Sequence, residues 1–448
     1  MPAASRPAAP DGAPPSPAVQ GPGLVPNYYP DLVPFGAPPG WAGPAVPLPH
    51  AITVTDTTFR DGQQARPPYT AEQIEHLYDL LHQLGGPSGA IRQCEFFLYS
   101  RRDREAVERC LARGHTAPEV TGWIRARAED LPLVRAAGLA ETGLLTSCSD
   151  HHIYRKLRWT RRQALDEYVR IASAAAEAGI RPRCHLEDVT RADLEGFVVP
   201  LVQALGRACG PEGFKLRLCD TLGLGLPFQG VAAPRGVPAL VARLRAEGLQ
   251  PWQLEWHGHN DLHLAVANAL AAWLAGCAAA NGTLLGFGER TGNPAVEALV
   301  MHYVGLTGDA GPDTRALGEI VRFMRDECGY PVPPMTPLAG AQAFSTAAGI
   351  HADGLLKDPG IYLPFDPEAL FDLTAAVTIT DRSGAAGVAA WWHQSFGEEV
   401  AKDDPRVRAL AAWVQAQYED GRTTVIADAE LRAQAGASPA AARAPRGS

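Results

Sequence analysis

Three side chains able to share one cation stand at two distant places in the sequence. Asp61 lies in "TDTTFRDGQQ", and His257 and His259 form the pair in "WHGHND". Residues i and i+2 of an extended strand face the same side, so both imidazoles can point at one ion. Two histidines at this spacing pack or hydrogen-bond more often than they bind metal. An aspartate closing an early strand and an amide, Asn293 in "GERTGN", following a late one favour the metal. The donors are nitrogen and oxygen without thiolate, which suits Mg²⁺, Mn²⁺ or Zn²⁺. Arg60, beside Asp61, adds a charge that a buried strand end would not carry unless something there binds it.

These residues need a scaffold that brings strand ends together. Short strand-like runs occur at "AITVTDT", "IRQCEFF", "EVTGWI", "ETGLLTS", "RPRCHLE", "FKLRLCD", "QLEWHGH" and "AANGTLLGFG", each followed by a helical stretch. Many of those stretches open near Thr, Asp or Pro and close on Gly, as helix caps require. Eight such units over roughly 260 residues match the rhythm of a (β/α)₈ TIM barrel, with a doubly wound open sheet as the competing architecture. The barrel makes a testable demand: chemistry must gather at the carboxyl ends of strands. Arg60 and Asp61, Glu95, His185, Glu187 and Asp188, Asp220 and Thr221, His257 and His259, and Glu289, Arg290 and Asn293 all fall there. "GFGERTGN" lacks the Lys-Ser/Thr of a phosphate-binding loop and sits in the last unit rather than the first, so a nucleotide site is rejected.

The rest of the composition narrows the class. A net charge of -9 argues against nucleic acid as a partner. No apolar run is long enough to span a membrane, and the Pro/Ala-rich start does not resemble a signal peptide. Eight cysteines without a C-x-x-C pair suit reduced thiols and a cytoplasmic location. Residues 1–48 read as a disordered tail, 49–314 as the barrel, 315–425 as a Pro-rich linker with a small, mostly helical subdomain, and 426–448 as a second loose end.

"DTTFRDGQQ", "HGHND", "GERTGN" and "GIHADG", in this order, resemble the metal-dependent Claisen-condensing synthases: isopropylmalate, homocitrate, citramalate and Re-type citrate synthases. "RDGQQARPPYT", "EFFLYS" and "TGWIRA" are most similar to the Re-citrate and phosphonomethylmalate or phosphinomethylmalate branch, and the chain stops short of a leucine-sensing domain. The resemblance implies a TIM barrel that uses acetyl-CoA and a divalent metal (Mg²⁺, Mn²⁺ or Co²⁺, with Zn²⁺ possible) in a homodimer with shared sites. It implies Asp61, His257, His259 and a longer contact from Asn293 as ligands, with Glu255 as a carboxylate behind them. Arg60 would lie over the reacting carbonyls, where oxyanion charge grows during attack by the acetyl-CoA enolate. Gln64 and Glu95 would shape the acetyl-donor pocket, while Arg183, His185, Glu187 and Thr221 would meet the oxo acid. His351 would be the base, reaching in from the partner subunit, with Tyr362 beside it.

The acceptor expected from these residues is a C3 oxo acid with an anionic group on its methyl carbon. Phe96, Phe97, Leu98 and Tyr99 restrict space, Arg183 and His185 supply donors, and a protonated His185 would favour a doubly charged tail. With a composition typical of a GC-rich bacterial genome, this places phosphonopyruvate or a phosphinate analogue ahead of oxaloacetate. A same-barrel metal-dependent lyase would not need "GIHADG" or the C-terminal subdomain, and a non-catalytic binding protein would not need so many ionisable groups at one mouth.

Overall fold

The computed structural model describes residues 48, 50–373 and 377–436; the expected N-terminal tail, save residue 48, and the chain beyond 436 lie outside the described residues. Eight parallel strands close into a barrel in chain order: β1 (Thr53–Asp56), β2 (Ile91–Phe97), β3 (Glu119–Arg125), β4 (Glu141–Ser147), β5 (Arg181–Glu187), β6 (Lys215–Asp220), β7 (Leu254–Gly258) and β8 (Ala279–Gly282). β1 pairs with β8 from Thr53↔Ala279 to Asp56↔Gly282, which excludes the open sheet.

Between the strands run α1 (Ala71–Gly85), α2 (Arg101–Ala112), α3 (Leu131–Ala136), α4 (Arg161–Glu177), α5 (Val199–Cys209), α6 (Val237–Arg245) and α7 (Ala265–Ala275), with α8 (Val296–Thr307) after β8. Their starts are written locally. Thr70 with Gln73, Ser100 with Asp103 and Thr160 with Gln163 form reciprocal caps at α1, α2 and α4. Proline occupies the first turn of α5 and α6, where its missing N–H costs nothing.

Alternation then sorts each strand. Val54, Cys94, Phe96, Leu144, Leu186, Leu216, Leu218 and Trp256 point outward and are buried against the helices. Each large apolar side chain fully buried this way contributes about 1.5–3 kcal/mol. The inward positions are unusual. Barrel interiors are normally filled by Val, Ile and Leu, whereas this one holds Glu95, Glu141, Arg183, Arg217 and Glu255, all buried.

Past the barrel, α9 (Ala316–Asp326) packs Leu317, Ile320 and Met324 into the main core. Arg66 and Gln73 donate to the carbonyls of Cys328 and Glu327 just beyond it, at 2.6 and 2.7 Å. α9 therefore belongs with the barrel. α10 (Gly349–Lys357), α11 (Pro367–Phe371), α12 (Gly384–Phe396), α13 (Pro405–Glu419) and α14 (Asp428–Gln434) follow. A second core joins Ala352, Val388, Trp391, Val407 and Leu410 to Ile426 and Leu431. The expected boundary at 425 is thus corrected: Ile426 and α14 are held by burial of two aliphatic side chains. Among the described residues no helix is long and apolar enough to cross a membrane.

Candidate active site

The carboxyl end of β7 and the turn after β1 bring the predicted ligands together. Candidate ligand atoms of Asp61, His257 and His259 all lie within 4.8 Å of one another, and all three residues are buried. His257 Nε2 stands 3.3 Å and His259 Nε2 3.9 Å from Asp61 Oδ2, and the two rings meet edge to face. His257 Nδ1 lies 2.6 Å from Asn281 Oδ1. An amide oxygen can only accept, so Nδ1 carries the proton and Nε2 keeps its lone pair toward Asp61. Asn281 in turn donates to Thr55 Oγ1 at 2.9 Å.

Asn293 Nδ2 donates to the Gly258 carbonyl at 3.1 Å, which leaves Oδ1 free. Asp61 Oδ1 and Asn293 Oδ1 are buried without a hydrogen-bond partner. Both oxygens crowd Gly288, where a Cβ would come 2.1 Å from Asn293 Oδ1 and 3.4 Å from Asp61 Oδ1. Buried unpaired acceptors are costly. Two of them beside two imidazole lone pairs, with no donor facing them, fit a hard divalent cation. Burial pushes the Asp61 carboxyl up, but Arg60 and then His257 and His259 bring it well below the usual carboxylate range. Burial lowers His259 to about 4, so it is neutral and able to ligate at pH 7.

Arg60 is held rather than free. Nε donates to Glu95 Oε1 at 2.8 Å and Nη1 to Asp61 Oδ2 at 3.0 Å, with Gln64 Oε1 at 3.5 Å. Glu95 also accepts from Arg217 Nη1 at 2.7 Å and Arg183 Nη2 at 2.8 Å. Arg217 makes a two-pronged pair with Glu255 at 2.8 and 3.0 Å. Arg183 continues downward to Glu141, and Glu141 to Lys215, each at 2.8 Å. Asp61, Glu95, Glu141 and Glu255 thus face Arg60, Arg183, Lys215 and Arg217, one cation for each carboxylate. Burial opposes the charge on Glu95, yet Arg217 and Arg60 hold it ionised.

This network corrects three expectations. Arg183 has no donor to spare for a substrate tail, because Gln93, Glu141, Glu95 and Thr121 take its N–H groups. His185 is not protonated: burial first, then Arg217, lowers it to about 3, and its ring sits 3.3 Å from Glu95. Gly143 makes room for that ring, since a Cβ there would lie 2.6 Å from His185 Nε2. Of the bulky run after β2, Phe96 and Leu98 point outward into the core, and only Phe97 and Tyr99 stand at the mouth beside Trp123.

Other predicted residues sit on the rim. Glu187 accepts from His152 at 2.8 Å and Lys156 at 2.9 Å, and also from Ser147. Burial works against its charge, but His152 and Lys156 bring it to about 2, so it is a fixed anion. Thr221 Oγ1 accepts from the Asp188 backbone N–H at 2.8 Å. Arg290 ties two loops together by pairing with Asp261 at 2.9 Å and donating to the Thr221 carbonyl at 2.6 Å. Gly292, at φ +83°, cannot be replaced, because a Cβ would strike the Gly286 carbonyl. His351 and Tyr362 stack on each other with centroids 4.5 Å apart, both exposed on the C-terminal segment. They do not line the cavity of about 1020 Å³ that opens beside Gln64, Asn260, Arg290 and Asn293 and reaches Tyr330 and Pro333.

Sequence reading passed over Arg217, Asn281 and Trp123. Alternation carried the signal for all three: Arg217 lies two residues before Cys219 on an inward face, and Asn281 faces inward in "AANG".

Comparison with known proteins agrees with this geometry. The HMGL-like family model matches residues 51–324. A citrate (Re)-synthase of Syntrophus aciditrophicus is 50% identical over 86% of the chain, which spans 62% of that relative's length. A citrate (Re)-synthase of Clostridium kluyveri is 45% identical, covering 91% of this chain and 92% of the other. A 2-phosphinomethylmalate synthase of Streptomyces hygroscopicus is 40% identical, covering 91% and 95%. Among solved structures, HMG-CoA lyase of Bacillus subtilis superposes with a TM-score of 0.52 at 21% identity over 64% of this chain and 97% of that one, a likeness of fold. With a closed eight-stranded barrel, a family match over more than half of its residues and relatives at 45% and 40% identity over most of its length, the chain belongs to the HMGL-like family.

Proposed function

We propose that this protein is an acyltransferase that condenses acetyl-CoA with a dicarboxylic α-oxo acid and releases free CoA, with oxaloacetate as the acceptor and citrate as the product. One observation carries the reading: buried Asp61, His257 and His259, with unpaired acceptor oxygens on Asp61 and Asn293, lie against a fixed arginine at the mouth of the barrel. Asp61, His257 and His259, with Asn293 at longer reach, would hold a divalent cation, which supplies Lewis-acid polarisation of the oxo carbonyl. The chain's own groups do the rest. Asp61 and Glu95 fix the Arg60 guanidinium so that its donors face the oxygen on which negative charge grows as the acetyl-CoA enolate attacks. Water then hydrolyses the product thioester and makes the overall step irreversible. Glu187, ionised and bridged to Lys156 and His152, acts by holding those side chains at the rim rather than by passing a proton.

His351 is the candidate base for the acetyl methyl proton. It lies on an exposed patch with Ile350, Ile361 and Tyr362, and we assign this patch to a second copy of the chain, whose site it would complete. Oxaloacetate takes precedence over phosphonopyruvate and its phosphinate analogue for two reasons. The citrate (Re)-synthases match at 50% and 45%, against 40% for the phosphinomethylmalate synthase. The neutral His185 also removes the electrostatic reason for a doubly charged tail. The 40% relative keeps the phosphinate substrate as the second reading.

Thiol release from acetyl-CoA in the presence of Mg²⁺ or Mn²⁺ tests this directly. Oxaloacetate is expected to be turned over best, ahead of phosphonopyruvate and phosphinopyruvate and far ahead of 2-oxoisovalerate and 2-oxoglutarate. A preference for 2-oxoisovalerate would overturn the acceptor, and no thiol release with any oxo acid would overturn the reaction.

A further inference from the structure

We propose that the Trp123 indole N–H binds the distal carboxylate of the acceptor and makes this enzyme select dicarboxylic over monocarboxylic oxo acids. The inference rests on the condensation described above and names a residue that sets its specificity. Thr121 faces the barrel interior, since its Oγ1 accepts from Arg183, so Trp123, two residues nearer the mouth, faces the same side. Its ring lies under the Arg60 guanidinium, 5.6 Å from Cζ to centroid. Phe97 packs edge to face against it at 5.4 Å and Tyr99 at 6.3 Å.

Every other polar group of this wall is already engaged. Tyr99 donates its hydroxyl to Asp130 at 2.8 Å and accepts from the Arg125 backbone N–H at 2.8 Å, while Phe97 has none to offer. Trp123 Nε1 alone is shut off from solvent with no acceptor. Trp256 Nε1 is also unpaired, but it lies on the outward face of β7, fully buried among the helices, where no substrate can reach. An indole N–H donates and never accepts, so the missing group carries lone pairs. Beside a guanidinium, that group is an anion.

Arg60 links the two places, with Nη1 3.0 Å from Asp61 Oδ2 and Cζ above the Trp123 ring. An oxo dicarboxylate held at the ligand cluster would direct its second carboxylate to the Trp123 side of this guanidinium. A monocarboxylic oxo acid leaves the N–H unpaired, and a branched one presents methyl groups to it.

The test compares oxaloacetate with pyruvate as acceptors for the Mg²⁺-loaded enzyme and its Trp123→Phe variant, which keeps a ring under Arg60 and deletes the donor. KM for oxaloacetate should rise roughly tenfold or more, the scale of one hydrogen bond to a charged group. The loss should fall on that KM more than on kcat, and more on oxaloacetate than on pyruvate or acetyl-CoA, so that the oxaloacetate-to-pyruvate ratio falls. Trp123→His, which returns a ring N–H, should recover part of the preference; together the two variants keep the test valid if one of them fails to fold by circular dichroism. An unchanged oxaloacetate-to-pyruvate ratio overturns the proposal, as does an effect confined to KM for acetyl-CoA. Calorimetric binding of oxaloacetate and pyruvate, without acetyl-CoA, separates this from the reaction itself. If the wild type binds oxaloacetate but releases no CoA, the condensation reading fails while the indole contact is still decided by the variants.

Discussion

The metal pocket and the barrel interior beneath it use the same kinds of residue and treat them in opposite ways. In the pocket, Asp61 Oδ1, Asn293 Oδ1 and His259 Nδ1 are buried and left without partners. A few ångströms below, Glu95 alone accepts from Arg60, Arg183 and Arg217, and Glu255 closes on Arg217 with both oxygens. The unsatisfied acceptors leave the pocket open to a ligand, whereas the saturated groups beneath it hold Arg60 still. A buried ion network gains little net stability over apolar packing. Its retention in place of Val and Leu is explained by the need to fix a guanidinium at the mouth.

The largest effect should come from breaking the pocket. His257→Ala and Asp61→Ala should each abolish metal binding and turnover, and His257→Ala should leave thermal unfolding near that of the wild type, because the interior network does not include His257. Chelation with EDTA should do the same and be reversed by Mg²⁺, Mn²⁺ or Co²⁺. Full activity after verified metal removal would dissolve the distinction between the two regions.

Breaking the fixture should show up first in stability. Glu95→Gln keeps the shape but leaves three guanidiniums facing a neutral amide, an unpaired-charge cost of about 3–5 kcal/mol. A urea midpoint equal to that of the wild type would mean that the network is not load-carrying in this sense. Between these two lies Arg60→Lys. An ammonium cannot hold Glu95 and Asp61 while also facing the oxyanion, so kcat should fall roughly 10²-fold with little change in acetyl-CoA binding. A shift in KM alone would make Arg60 a binding group.

The smallest effect is a pH slope. His185 titrates near 6.5 in the unfolded chain but at about 3 in the fold, because burial and Arg217 disfavour its charge. Below 6.5 the unfolded state therefore binds the proton first. This residue's contribution leaves stability untouched above pH 6.5 and subtracts from it progressively as pH falls toward 3, by at most about 1.4 kcal/mol per unit. His259, at about 4, acts in the same sense. Asp56 and Glu297, raised by burial to about 6 and 7, act in the opposite one, since their protonated forms are favoured in the fold. The difference between wild type and His185→Gln isolates the histidine: denaturant midpoints of the metal-free proteins should fall less steeply between pH 6.5 and 4.5 in the variant. Parallel slopes would mean that His185 is charged in the fold.

Local pattern determined much of this protein. Strand-like runs followed by helical stretches recur along the chain and several helices carry caps, so eight strands, eight following helices and the closed barrel were legible, as was a helical segment after it. The convergence of Asp61, His257 and His259 was legible because the two histidines lie two residues apart at the end of one strand and Asp61 follows another. The tertiary structure alone decided what Arg183, His185 and Trp123 do. Their type and inward direction can be read along the chain, but whether a donor is spent depends on partners tens of residues away: Glu141 and Gln93 for Arg183, Arg217 for His185, and, among the described residues, no acceptor for the Trp123 N–H. A hydrogen-bonding group carries the same letter whether it is saturated or free, and only the packing of distant strands around a closed barrel settles which.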